Sequence, residues 1–162
     1  MGKDNNYPHI LRRSEVEENE SIFSHPWNPK SEVIGTHMSR IAGLNRTGVS
    51  LVRIAAGKES FAYHSHHREE EWIYIISGKG VAQIDGEEYE LLPGDFVAFP
   101  TPSAPHNMTN PFGTELVYMM GGENKEHEIA DFPTLGKRML RLGEKIEIYE
   151  LSDAKPFFEP GT

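Results

Sequence analysis

Histidines and an acidic run carry the chemistry of this chain: His64 and His66 flank a single residue, His67 follows, Glu69, Glu70 and Glu71 come after Arg68, and His106 lies further on. In an extended strand, residues i and i+2 project from one face, so the imidazoles of His64 and His66 stand side by side while His67 points away. A second strand opening at Glu71 could bring a carboxylate to the same place, with His106 reaching in from a third. Strand alternation puts Glu70 and Glu71 on opposite faces, and a one-residue change of register exchanges them, so spacing leaves the carboxylate open. An isolated His-x-His in an acidic loop is more often a solvated patch than a metal site; here the wider pattern changes the odds. Three neutral imidazoles and one carboxylate suit a divalent transition metal such as Fe, Mn, Ni, Cu or Zn, whereas Ca or Mg would demand more oxygens. Such a set would leave about two octahedral positions open for water, dioxygen or a bidentate substrate, and a net charge of about +1.

The elements that must position these groups are short strands. From Thr36 onward, apolar alternations are punctuated by turn residues, the pattern of an all-β sandwich or barrel rather than of βαβ units. Strands are predicted at His37–Ile41, Ser50–Ile54, Phe61–His66, Trp72–Ile76, Val81–Ile84, Glu88–Leu92, Phe96–Phe99, His106–Thr109 and Glu115–Met120. Asp85-Gly86 between VAQI and EEYELL marks a two-residue hairpin, because Asp and Gly accept the positive φ values that such a turn requires. Pro93-Gly94-Asp95 is a further break. Residues 1–35 read as a polar N-terminal arm, 36–122 as the barrel, and 123–162 as a C-terminal extension covering the barrel or a partner subunit. Within that extension, Lys137–Leu142 and Lys145–Leu151 fit a strand or a short helix equally.

The chain has 162 residues, enough for one domain with an ordinary core. It contains no cysteine, which excludes disulfide scaffolds, thiolate metal sites and cysteine nucleophiles. A formal charge of -9 argues against nucleic acid or anionic membrane as partner. The opening MGKDNNYPH carries no apolar signal segment, Asn6 does not fit a myristoylation signal, and the longest apolar run, Trp72 to Ile76, is far short of the ~20 residues that cross a bilayer. A cytoplasmic location is the expectation. Gly78-Lys79-Gly80 is too short for a phosphate loop.

The stretch GKESFAYHSHHREEEWIYIISG resembles the first motif of the cupin superfamily, with Gly57, His64, His66, Glu71 and Gly78 in the characteristic places. GDFVAFPTPSAPHNMTN is similar to the second motif, with Gly94, Pro100, His106 and Asn110 in register. Two departures stand out: the spacing from Gly57 to His64 is one residue longer than usual, and the loop before His106 is also one residue longer, with Pro102 in the place of a glycine. The resemblance spans about residues 50–120. It implies a double-stranded β-helix, a jelly-roll β-barrel of two facing sheets with extended N- and C-terminal arms, and a divalent transition metal held by His64, His66, Glu71 and His106 inside the barrel.

With Glu71 facing inward, parity turns Ile73 and Ile75 inward and Trp72, Tyr74 and Ile76 outward. That outer face needs a cover, either the N-terminal arm with Phe23 and Trp27 or a second copy, and small cupins typically form homodimers this way. Met108 and Phe99 are expected to face inward as core. Arg53, Tyr63 and Gln83 are polar strand residues available to a small-molecule substrate; an inward guanidinium would point to an oxyanion. The resulting expectation is a metal-dependent enzyme, of dioxygenase or isomerase type, acting on a small polar metabolite. The alternative is a non-enzymatic ligand- or metal-binding cupin module.

Overall fold

A computed structural model describes residues 7–156, so the first six and last six residues, including the Asn6 reading, lie outside the described part. Helix α1 (Arg13–Glu18) precedes strands β1 (Ser21–Phe23) and β2 (Val33–Thr36), and helix α2 (Met38–Ile41) leads into β3 (Thr47–Ile54). Then follow β4 (Ser65–His66), β5 (Glu71–Ser77), β6 (Gly80–Ile84), β7 (Glu87–Leu91), β8 (Phe96–Phe99), β9 (His106–Thr109), β10 (Leu116–Glu123), β11 (His127–Phe132), β12 (Lys137–Leu142) and β13 (Lys145–Glu150).

One layer is a six-stranded antiparallel sheet in the order β1-β2-β3-β10-β5-β8. The other is made of β7-β6-β9 and β13-β12-β11-β4. An antiparallel bridge between His64 and His106 joins these two parts, with His64 N–H donating to the His106 carbonyl at 3.1 Å and His106 N–H returning a bond to the His64 carbonyl at 2.7 Å. The two layers enclose a jelly-roll core of Val52, Ile54, Ile73, Ile75, Met108, Leu116 and Tyr118, all buried. Period-two alternation explains the burial: along β5, Ile73 and Ile75 are buried while Tyr74 and Ile76 are exposed. Asp85 and Gly86 take φ of 51° and 83°, the pair of positive values expected for the β6–β7 turn.

Four local expectations change. His37–Ile41 holds a helix rather than a strand: five residues are too few for apolar alternation to separate the two periods, and the buried Ser39 hydroxyl ties the turn to the sheet by accepting Val49 N–H at 2.9 Å. Phe61–His66 is regular only at Ser65–His66, although the chain before it is bridged through Glu59 and His64 to β9. The segment before Thr36 contributes α1, β1 and β2, and β2 pairs with β3 through Ile34↔Arg53. Beyond residue 122 lie β11, unexpected from the sequence, and β12 and β13, which form a hairpin. Among the described residues, no helix is long and apolar enough to cross a membrane.

Gly78 shows how tightly the β5–β6 connection is drawn. Its φ is 75°, and a Cβ there would lie 2.1 Å from the Glu115 carbonyl oxygen. Gly78→Ala is therefore expected to cost on the order of 2 kcal/mol or more, from the left-handed backbone and from the clash with main chain that cannot yield. Chemical denaturation of the two proteins side by side measures it; equal midpoints would contradict this account of the turn.

Candidate metal centre

His64, His66, Glu71 and His106 each present one donor atom, and those four atoms lie within 4.8 Å of one another. Each comes from a different constraint. His64 is the bridge residue at the seam between the two parts of the second layer. His66 is pinned by Ser103, whose hydroxyl accepts His66 N–H at 2.8 Å and whose N–H donates to the His66 carbonyl at 2.8 Å. Glu71 opens β5 between its neighbours Gly122 of β10 and Phe99 of β8. His106 opens β9, its ring stacked on Phe99 with centroids 3.6 Å apart and planes 10° apart.

Hydrogen bonds fix two of the tautomers. His64 Nδ1 is 2.8 Å from the Ala62 carbonyl and His106 Nδ1 is 2.9 Å from the Ala104 carbonyl. A carbonyl only accepts, so each Nδ1 carries the proton and each neutral ring leaves a lone pair on Nε2. The His106 lone pair faces a carboxylate oxygen, and the His64 lone pair faces Nε2 of the His66 ring. His64 Nε2 is 3.1 Å from His66 Nε2, and His106 Nε2 is 3.0 Å from Glu71 Oε2. Electron pairs converging in a desolvated space repel unless a proton or a cation lies between them. The donor set therefore fits a divalent transition ion, which would satisfy them together.

The electrostatics agree. Burial first, then the positive forms of His106 and His66, push His64 down to about 4, so it stays neutral near pH 7. For His66, burial acts downward, but the hydrogen bond and charge of Glu71, with the charge of Glu128, outweigh it and raise its affinity for a proton. For Glu71, burial acts upward and is overcome by the His106 and His66 rings, which in their protonated forms bond to it and carry positive charge beside it; the carboxyl is held well below its usual range, as a cation in the same place would also hold it.

His67 turns away from the cluster as strand parity requires, and the two remaining acids are accounted for by their own surroundings. His67 turns away to Asp131, 2.9 Å from Oδ2, and Asp131 is in turn held by Arg138. Glu70 is exposed, and Glu69 is buried but engaged by Lys125 N–H and the Arg141 guanidinium. The carboxylate left open by spacing is thus Glu71.

A cleft of about 250 Å³ opens beside His64, His66 and Glu71, with Phe61, Phe132 and Met120 as walls. Phe23 packs on Phe61 with centroids 5.4 Å apart, and Trp27 meets Phe132 edge-on at 5.0 Å. These two aromatics therefore pack on residues of the cleft wall and not on the outer face of β5, where Tyr74 and Ile76 stay exposed. The same excursion of chain places His25 on the cleft rim. Arg53 faces outward, paired with Glu20 and Glu115, so the inward oxyanion fork does not exist. The Tyr63 hydroxyl accepts Gly86 N–H at 2.9 Å, and neither Tyr63 nor Gln83 lines the cleft. Met108 is core, as expected.

Sequence reasoning missed three groups. His25 sits in a stretch with no strand-like alternation, Glu128 lies on β11, and Tyr118 reads as one more apolar residue of β10. Tyr118 is wholly buried and lines a small void with His64, Glu71 and His106. Burial, then the Glu71 charge, keep its phenol protonated.

A family model described as a cupin domain matches residues 50–121, which include all four donors. A solved structure from Acidithiobacillus ferrooxidans, provisionally named a sugar phosphate isomerase, is similar with a TM-score of 0.87 and 31% identity, over 93% of this chain and 97% of that one. A sugar phosphate isomerase of the cupin superfamily from Silicibacter pomeroyi superposes with a TM-score of 0.79 at 21% identity, over 90% and 94% of the two chains, a likeness of fold. An uncharacterized protein of Methanocaldococcus jannaschii is 38% identical over 47 residues, 29% of this chain and 37% of that protein, so this match spans well under half of its length. With its barrel shared along almost the entire length of a relative and its central strands matched by the domain model, the chain belongs to the cupin superfamily.

Proposed function

We propose that this protein is a divalent-metal-dependent enzyme of the isomerase type, acting on a small polar metabolite that carries a hydroxyl beside a carbonyl. The observation that carries the reading is the convergence of three imidazole nitrogens and the Glu71 carboxylate, with the His106 lone pair turned on that carboxylate, beside a cleft lined by His64, His66 and Glu71. Likeness to the provisionally named isomerase supports this class over a dioxygenase. A volume of about 250 Å³ is slightly below the usual ~300 Å³ lower bound for ligand pockets, which favours a small ligand.

His64, His66, Glu71 and His106 would hold the ion. Bound there, it would polarise a substrate carbonyl and stabilise negative charge on oxygen. Phe61 and Phe132 give the cleft an apolar wall against which a small ligand could pack. His25 supplies a group able to move a proton. Its Nδ1 accepts Trp27 N–H at 3.3 Å, so Nε2 carries the proton of the neutral ring, and burial lowers its basicity enough to keep it neutral near pH 7. The Tyr118 phenol, protonated throughout this range, offers a neutral donor beside Glu71. The exposed Tyr74, Ile76 and Phe96 on the outer face of β5 and β8 are the surface a second copy would cover in a cytoplasmic homodimer.

The direct test combines metal analysis with turnover. Added Mn, Fe, Ni or Zn should raise the melting temperature of the metal-free protein, because an ion bound only by the folded state stabilises it by mass action. His64→Ala and His106→Ala should each reduce bound metal to less than about a tenth of an equivalent, whereas His67→Ala should retain the parent content. With metal, proton exchange from D2O into hydroxy-aldehyde and hydroxy-ketone substrates should be visible by NMR. Oxygen consumption instead would mark a dioxygenase, and metal without turnover across such substrates would mark a binding module.

Metal affinity should fall with acidification. A proton on the metal-free site resides preferentially on His66, whose affinity for it is raised, and must leave before its Nε2 can bind an ion. Affinity therefore climbs as pH rises through the titration of His66, above the ordinary imidazole value of ~6.5, and His64 adds a further loss only as pH nears about 4. Titration calorimetry in several buffers should show proton release on binding at pH 6; none at that pH would contradict the assignment.

A further inference from the structure

The third imidazole of the cluster lacks the main-chain lock that fixes the other two. His66 Nδ1 is buried and has no hydrogen-bond partner among the described residues. Behind it, on β11, stands Glu128, with no exposed surface. Its Oε1 is 3.4 Å from His66 Nδ1 and accepts His67 N–H at 3.0 Å and Arg68 N–H at 3.2 Å, while its Oε2 has no partner. A carboxylate removed completely from water and facing an imidazole across a gap slightly too long for a formed bond is costly unless something strengthens that contact. Its neighbour Glu69 differs, since Arg141 and Lys125 N–H already satisfy it.

Resting on the metal-centre reading above, we propose that Glu128 is the positioning residue for His66. It holds the proton on Nδ1, directs the Nε2 lone pair into the cluster, and places a second buried negative charge beside the ion. An ion on Nε2 draws electron density from the ring and makes Nδ1–H a stronger donor, so the Glu128 contact tightens as the site loads. The charge balance changes as well. A dication with Glu71 alone is left at about +1, and Glu128 brings the surroundings close to neutrality. This residue lies outside the matched span 50–121, on a strand that pairs with β4 through Ala130↔His66.

The test is zinc affinity of the full chain by competition with a chelating dye, together with nitrogen-15 NMR of the histidine rings. Glu128→Gln keeps an oxygen for the two backbone N–H groups and removes only the charge. It should weaken zinc binding by about 10- to 100-fold and move the His66 Nδ1–H resonance upfield, while Glu69→Gln should leave both unchanged. Zinc affinity within about twofold of the parent, with the resonance unmoved, would overturn the role. Should Glu128→Gln not fold, the zinc-loaded parent decides alone: zinc on His66 Nε2 with a protected Nδ1–H supports the inference, and zinc on Nδ1 overturns it. If the parent takes up no zinc or other divalent metal, the reading of the cluster itself fails, a result distinct from a parent that binds and a variant that binds equally well.

Discussion

Everything in this barrel is arranged around an electrostatic problem: electron pairs on His64, His66, His106 and Glu71 are held face to face in a space from which water is largely excluded. Left unbalanced, such groups would repel and drive the site open. The fold resists because none of the four is free to leave. His64 and His106 are hydrogen-bonded to each other through their backbones, His66 is clamped by Ser103, and Glu71 belongs to a strand paired on both sides. The barrel therefore keeps four groups that could hold a cation in one fixed arrangement.

Rigidity and access are divided between the layers. The six-stranded sheet supplies Glu71 and the apolar floor, and the second layer supplies all three imidazoles. Phe132, at the end of β11, lines the cleft, and Phe23 and Trp27, before β2, pack behind Phe61 and Phe132. The four clustered donors thus sit on the jelly roll itself, while part of the aromatic wall beside them comes from the segments flanking it. Superfamilies of this kind diversify along that division.

Much of the centre was legible because its logic is local. Parity over His64, His66 and His67 needs only an extended backbone, and that condition holds even though the regular strand shrinks to Ser65–His66. Asp85-Gly86 and the inward Ile73 and Ile75 are likewise decided by neighbours in sequence. Alternation alone could not choose among Glu69, Glu70 and Glu71, since that depends on where β5 begins relative to β10 and β8; only the motif resemblance singled out Glu71. His37–Ile41 defeated alternation because its anchor, Val49 N–H, lies in another element. Arg53 faces outward for a comparable reason: Glu20 and Glu115, distant in sequence, meet its guanidinium there. Glu128 and Tyr118 gave no signal at all, one being an acid in a charged stretch and the other an aromatic in an apolar strand.

The Ala62 and Ala104 carbonyls, each two residues ahead of the histidine it orients, belong to the main chain. No mutation of a side chain can delete them. Two of the three imidazoles are accordingly insulated from sequence drift, keeping their orientation in any relative that preserves the path of the backbone, while the walls around them remain free to vary.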